Sequence, residues 1–95
     1  MRVTGPLLKV LNAFLEHPAE LYGLELSRAT GLKGGTLYPL LDRLEREGWL
    51  RSRWEQNDPS EEGRPRRRFY ALTGHGAHEA RQILVEHGVG GVAWA

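Results

Sequence analysis

Gly31-Leu32-Lys33-Gly34-Gly35-Thr36-Leu37-Tyr38-Pro39-Leu40-Leu41-Asp42-Arg43-Leu44-Glu45-Arg46-Glu47-Gly48 reads as a helix whose ends and faces are both written in the sequence. Leu37, Leu40, Leu41 and Leu44 recur at i, i+3, i+4 and i+7, which at 3.6 residues per turn makes one apolar stripe that must be buried. Gly35, Pro39, Asp42 and Arg46 point roughly the other way, with Tyr38 and Glu45 on one flank and Thr36 and Arg43 on the other. Pro39 has no N–H to donate, which keeps it near the first turn and sets the helix start between Gly34 and Thr36, while Gly48 supplies the stop. Two glycines, a hydroxyl and a phenol at the start let a phosphate come close to the free N–H groups, where the helix dipole also favours an anion. That suits a helix end laid against DNA; read alone, Gly34, Gly35 and Pro39 are equally well explained as turn and capping chemistry.

Upstream, Leu7, Leu8, Val10, Leu11, Phe14 and Leu15 give a first helix closed by Pro18 after His17. Tyr22 to Thr30 reads as a second, short helix with Glu20 near its positive end and Gly31 as its C-cap. Two helices joined by a short glycine-containing turn have the layout of a helix-turn-helix. After Gly48 the period changes to two. Leu50, Ser52 and Trp54 alternate with Trp49, Arg51 and Arg53, then Gln56 to Gly63 is turn chemistry and Arg66 to Leu72 reads as the returning strand. A ribbon after a helix-turn-helix is a wing. Asp58, Glu61 and Glu62 on its loop would repel phosphate, so the arm from Arg64 to Arg68 is the expected contact. Thr73 offers the N-cap of a closing helix with Ala77, Ala80, Ile83, Leu84 and His87 on one face and an end at Gly88; Gly74 and Gly76 weaken its first turn.

The expected fold is therefore α+β and mainly α, a winged helix-turn-helix of three helices, a two-stranded wing and one C-terminal helix. Residues 1–88 form the domain and 89–95, rich in glycine with a lone Trp94, form a flexible tail. Ninety-five residues, 40% hydrophobic and 26% charged, suffice for one domain. With no cysteine there is neither a disulfide framework nor a thiolate zinc site, and no long apolar run suggests a signal peptide or membrane span, so the expectation is a soluble cytoplasmic protein associated with the nucleoid. A formal net charge of +1 says little, but Arg64, Arg66, Arg67 and Arg68 lie within five positions, costly in mutual repulsion unless a polyanion or nearby carboxylates compensate. His75 and His78 at i, i+3, with His87 further on, are better read as solvated histidines than as metal ligands. No phosphate loop and no Ser or Thr with an evident His and acid partner is present, so neither an enzyme nor a cofactor is expected.

Tyr22-Gly23-Leu24-Glu25-Leu26, Gly35-Thr36-Leu37-Tyr38-Pro39-Leu40-Leu41, Leu44-Glu45-Arg46-Glu47-Gly48-Trp49-Leu50, Gly63-Arg64-Pro65-Arg66 and Tyr70-Ala71-Leu72-Thr73 with Gly76 together resemble the PadR family of bacterial winged-helix transcription regulators over roughly residues 7 to 85. The resemblance implies a homodimeric repressor on a palindromic operator, released by a small-molecule effector, with double-stranded DNA met by the third helix and the wing. The chain departs from the family's longer members in having one short helix and a glycine-rich tail after the wing. The DNA contacts expected here are Lys33, Gly35, Thr36, Tyr38, Pro39, Arg43, Arg64, Arg66, Arg67 and Arg68. More apolar residues on the first and last helices than a small core needs put Leu7, Leu11, Phe14, Ile83, Leu84 and His87 at a dimer interface. Arg43 could instead pair with Glu47 at i+4. Two readings from other classes stay open: a protein-interaction module whose wing arginines meet acidic side chains, and an inducer-free architectural or phage factor that bends DNA.

Overall fold

In the computed structural model, which describes residues 1–88, the elements run α1 (Gly5–Glu16), β1 (Leu21–Tyr22), α2 (Gly23–Thr30), α3 (Gly34–Arg46), β2 (Leu50–Trp54), α4 (Pro59–Glu62), β3 (Arg68–Leu72) and α5 (Gly74–Glu86). The expected glycine-rich tail, residues 89–95, lies outside the described residues. Leu37, Leu41 and Leu44 of α3 are fully buried and Leu40 lies against the same core, so the leucine stripe is the inner face of the helix. The helix starts at Gly34 and closes through Gly48, which takes the left-handed conformation at φ 79° while the Trp49 N–H donates to the Leu44 carbonyl. Pro39 sits a turn further in than a strict N-terminal proline. It gives no N–H to the Gly35 carbonyl, but both residues are exposed, so the lost bond falls on the solvent side.

The winged helix-turn-helix is present, with two additions. Leu21 and Tyr22 form a third strand, paired antiparallel with Tyr70 and Phe69, so the sheet has the order β1-β3-β2 and α2 begins at Gly23 rather than Tyr22. The wing loop contains a helical turn, α4, capped by Asp58, whose carboxylate accepts from the Ser60 N–H at 2.9 Å. The returning strand starts at Arg68, not Arg66. Before it, the Arg67 N–H donates to the Glu55 carboxylate while the Arg67 carbonyl accepts from the Glu55 N–H, and the regular ladder stops there.

Four of the six residues expected at a dimer face belong to the domain's own core. Leu7, Leu11, Phe14 and Leu84 are buried in the domain's own core, because α1 and α5 pack against each other and cover one another's stripes. Ile83 is partly buried at the edge of that core, and His87 and Val85 are exposed. No helix among the described residues is long and apolar enough to cross a membrane.

Candidate nucleic-acid interface

The entry into α3 is held from behind by α2. The Ser27 hydroxyl donates to the Leu32 carbonyl at 2.7 Å, and the buried Thr30 hydroxyl donates to the Leu26 carbonyl while accepting from the Leu32 N–H. With Gly31 left-handed at φ 73°, this fixes the turn and leaves Lys33, Gly35, Thr36, Tyr38, Pro39 and Arg43 all exposed, as an interface requires. Arg43 makes no ion pair with Glu47; the i+4 pair of this helix is Asp42 with Arg46, 3.8 Å apart.

Tyr38 is placed by two glycines. A Cβ on the buried Gly23 at the start of α2 would overlap the Tyr38 hydroxyl, and one on Gly34 would lie 3.3 Å from its ring. The phenol therefore lies in a slot between the beginnings of α2 and α3 and is still 51% exposed. On its open side is a cleft of about 560 Å³, lined by Tyr22, Leu24, Tyr38, Trp54, Arg66 and Arg67 among others. The start of α3 and the wing thus border one surface.

The four arginines of the 64–68 run are not equivalent. Arg64 donates to both oxygens of Glu55, at 2.6 and 3.2 Å, and Arg68 donates to Glu45 at 3.0 Å. Arg66 donates through Nε to the Asn57 carbonyl, and the Arg67 guanidinium lies 4.3 Å from the centroid of the Tyr22 ring. Neither Arg66 nor Arg67 has a carboxylate partner among the described residues. The wing run is thus two compensated arginines and two free ones.

The transcriptional regulator PadR-like family matches residues 10–82. The chain belongs to this family. No curated protein matches. Among solved structures, smu.1704 from Streptococcus mutans UA159 is 28% identical, with a TM-score of 0.70 over 94% of this chain and 83% of that one. A PadR family transcriptional regulator from Eggerthella lenta DSM 2243 is 28% identical, with a TM-score of 0.69 over 84% and 71%. The PcaV transcriptional regulator from Streptomyces coelicolor, solved with its natural ligand, is 29% identical, with a TM-score of 0.72 over 90% and 56%. This PadR-like chain is accordingly a winged-helix DNA-binding transcription regulator, and its family is one of regulators rather than enzymes.

Several residues that shape the regulator's interface carry no local signal. Glu20 holds Arg53 through two bonds of 2.7 and 2.8 Å from 33 positions away, and Glu45 reaches Arg68 across 23. Glu25 was findable: three residues after Tyr22, its carboxylate accepts the Tyr22 N–H, half of a capping box. The bonds from Arg53 and Arg64 hold the carboxyls of Glu20 and Glu55 below the ordinary glutamate value of 4.5. A lowered folded-state pKa means that these pairs contribute their full stability above 4.5 and lose it as the pH falls through the lowered values. Side-chain carboxyl NMR titration is expected to place the Glu20 midpoint below 4.5 and to return it towards 4.5 in Arg53→Gln. An unchanged midpoint in the variant would remove Arg53 as the cause. Among the described residues no group of three or more His, Cys, Asp or Glu could hold a metal ion.

Proposed function

We propose that this regulator is a homodimeric repressor that sets α3 into successive major grooves of a palindromic operator, about 34 to 36 Å apart, with each wing on the flanking backbone or minor groove. The observation that carries the reading is the shared cleft, where Tyr38 of α3 meets Arg66 and Arg67 of the wing. Thr36, Tyr38, Pro39 and Arg43, with Gly35 giving close approach, make base or phosphate contacts. Lys33, Arg66 and Arg67 supply phosphate affinity. Arg64 contributes less, since Glu55 already neutralises it. A second copy docks on the outer side of α5, where Val85 and His87 are exposed and Ile83 is partly so.

Selection of bound sequences from random duplex DNA at two salt concentrations tests the proposal. An enriched inverted repeat with half-site centres about one helical turn apart is the expected result. Binding without enrichment favours an architectural factor, and no binding at low salt favours a protein-interaction module. Repeating the binding with small aromatic acids separates a ligand-released repressor from an inducer-free one.

The charge assignment has its own test. Arg66→Gln and Arg67→Gln are each expected to flatten the dependence of log K on log salt by about one unit, and Arg64→Gln by less than about half a unit. Equal changes for all three would refute the distinction between free and compensated arginines.

A further inference from the structure

Among the described residues, Glu45 is the one α3 side chain hydrogen-bonded to the wing. Its Oε2 accepts from the Ser52 hydroxyl on β2 and its Oε1 from Arg68 on β3 at 3.0 Å, while Arg68 also donates to the Ser52 hydroxyl at 3.0 and 3.1 Å. The three side chains close a triangle spanning helix and both strands. The Arg68 guanidinium is further steadied 5.4 Å from the Trp54 ring centroid and 5.7 Å from that of Tyr70.

Core packing fixes the base of the wing, where Leu50 pairs with Leu72 and Tyr70 is buried. Beyond the Tyr22–Phe69 pair that joins β1 to β3, the ribbon is two strands of exposed or half-exposed residues, an arrangement with little stability of its own. Besides the pairing of Tyr22 with Phe69, two side-chain ties steer it there, one on each face, since successive side chains of a strand alternate. Ser52 and Arg68 are tied to Glu45 on the α3 side, and Arg53 to Glu20 on the other. The second tie ends beside β1; only the first ends on the recognition helix.

We propose that Glu45 is a positioning residue for DNA recognition: by holding Ser52 and Arg68 it fixes the reach of the wing from α3, and with it the length of duplex that one copy spans. This rests on the DNA-binding reading of α3 and the wing. Simple neutralisation of Arg68 would need no bond to Ser52 and no carboxylate on α3, so the triangle is the distinguishing feature. Glu45 itself touches no base or phosphate in this scheme. It acts through the arm that carries Arg66 and Arg67.

The chain has no cysteine, so spin labels at Glu47→Cys and Gln56→Cys report the distance between helix and wing directly. In the free protein the distance distribution is expected to be narrow, and at least about twice as wide in Glu45→Gln. Hydroxyl-radical footprints on the selected duplex are expected to keep the protection next to α3 in Glu45→Gln and to lose or shift the wing-proximal block, with affinity down about tenfold. Ser52→Ala removes one corner of the triangle without stranding a charge and should give the same split more weakly. It serves as the second variant if Glu45→Gln folds poorly. An unchanged distance distribution overturns the proposal, and so does uniform weakening of both protected blocks. A native protein that protects no duplex sinks the DNA reading itself; native protection whose pattern Glu45→Gln leaves intact sinks only the role of Glu45.

Discussion

Gly76→Ala is expected to lower stability by about 3 kcal/mol and the melting temperature by about 12 to 24 °C, measured by circular dichroism. A Cβ at this position would overlap the carbonyl of Trp49, with the Trp49 carbon and Cα close behind, so the obstacle is backbone rather than the end of a flexible side chain. That backbone has nowhere to go. The Trp49 N–H donates to the Leu44 carbonyl, Gly48 is left-handed at φ 79°, and Thr73 draws the same turn in, its N–H donating to the Trp49 carbonyl at 3.0 Å and its hydroxyl to the Gly48 carbonyl at 2.6 Å. The alternative is for α5 to back away, which pulls Ala80 and Leu84 out of the core they share with α1. Gly74→Ala is the control. Its Cβ meets open space two residues earlier in the same helix, and the substitution should be neutral or stabilise by up to about 1 kcal/mol. A Gly76→Ala protein melting within about 3 °C of the native one would show that the close approach is not a constraint.

Gly76 also marks the boundary of what the sequence discloses. As a string, two glycines in the first turn of a helix signify only weakness. The need for one of them arises from Trp49, 27 positions earlier in the chain and brought alongside by the fold. The same limit applies at the expected dimer face: periodicity tells that the stripes of α1 and α5 are buried, not what buries them, and here the two helices pack on one another, with α2 and α3 also against α1. The strand Leu21–Tyr22 is two residues long, too short to show any period, and exists because Phe69 and Tyr70 offer it an edge. By contrast, α3 and the wing were legible because their signals are local, a four-leucine stripe ended by glycine and a change from period 3.6 to period 2.

The interface divides along the same line. Which α3 residues face outwards follows from helix geometry, and Lys33, Gly35, Thr36, Tyr38, Pro39 and Arg43 are all exposed. Which wing arginines are free does not, since Glu55 and Glu45 reach them across 9 and 23 positions. Even the i+4 rule leaves a choice on α3. It permits Arg43 with Glu47 as readily as Asp42 with Arg46; the fold contains the latter, largely exposed and worth roughly 0.3 to 0.5 kcal/mol.

On the DNA-binding reading, Gly23→Ala should weaken binding to the selected duplex as much as Tyr38→Ala does, each by about 10- to 100-fold, corresponding to about 1 to 3 kcal/mol. Unlike Gly76, Gly23 faces the far end of a side chain, so the strain has an outlet: the phenol swings out of its slot. Stability then changes by about 1 kcal/mol or less, since Gly23 lies outside the positive-φ region and accepts an alanine backbone. Binding pays instead, because the phenol is no longer held at the edge of the cleft it shares with Arg66 and Arg67. Tyr is uncharged, so the salt dependence should keep its slope while the affinity falls, opposite to the arginine variants. The two substitutions act through one ring, and the double variant should therefore be no weaker than either single one. Fully additive losses would mean that Gly23 reaches the DNA by another route, and that the slot between the two helices does not set the position of Tyr38.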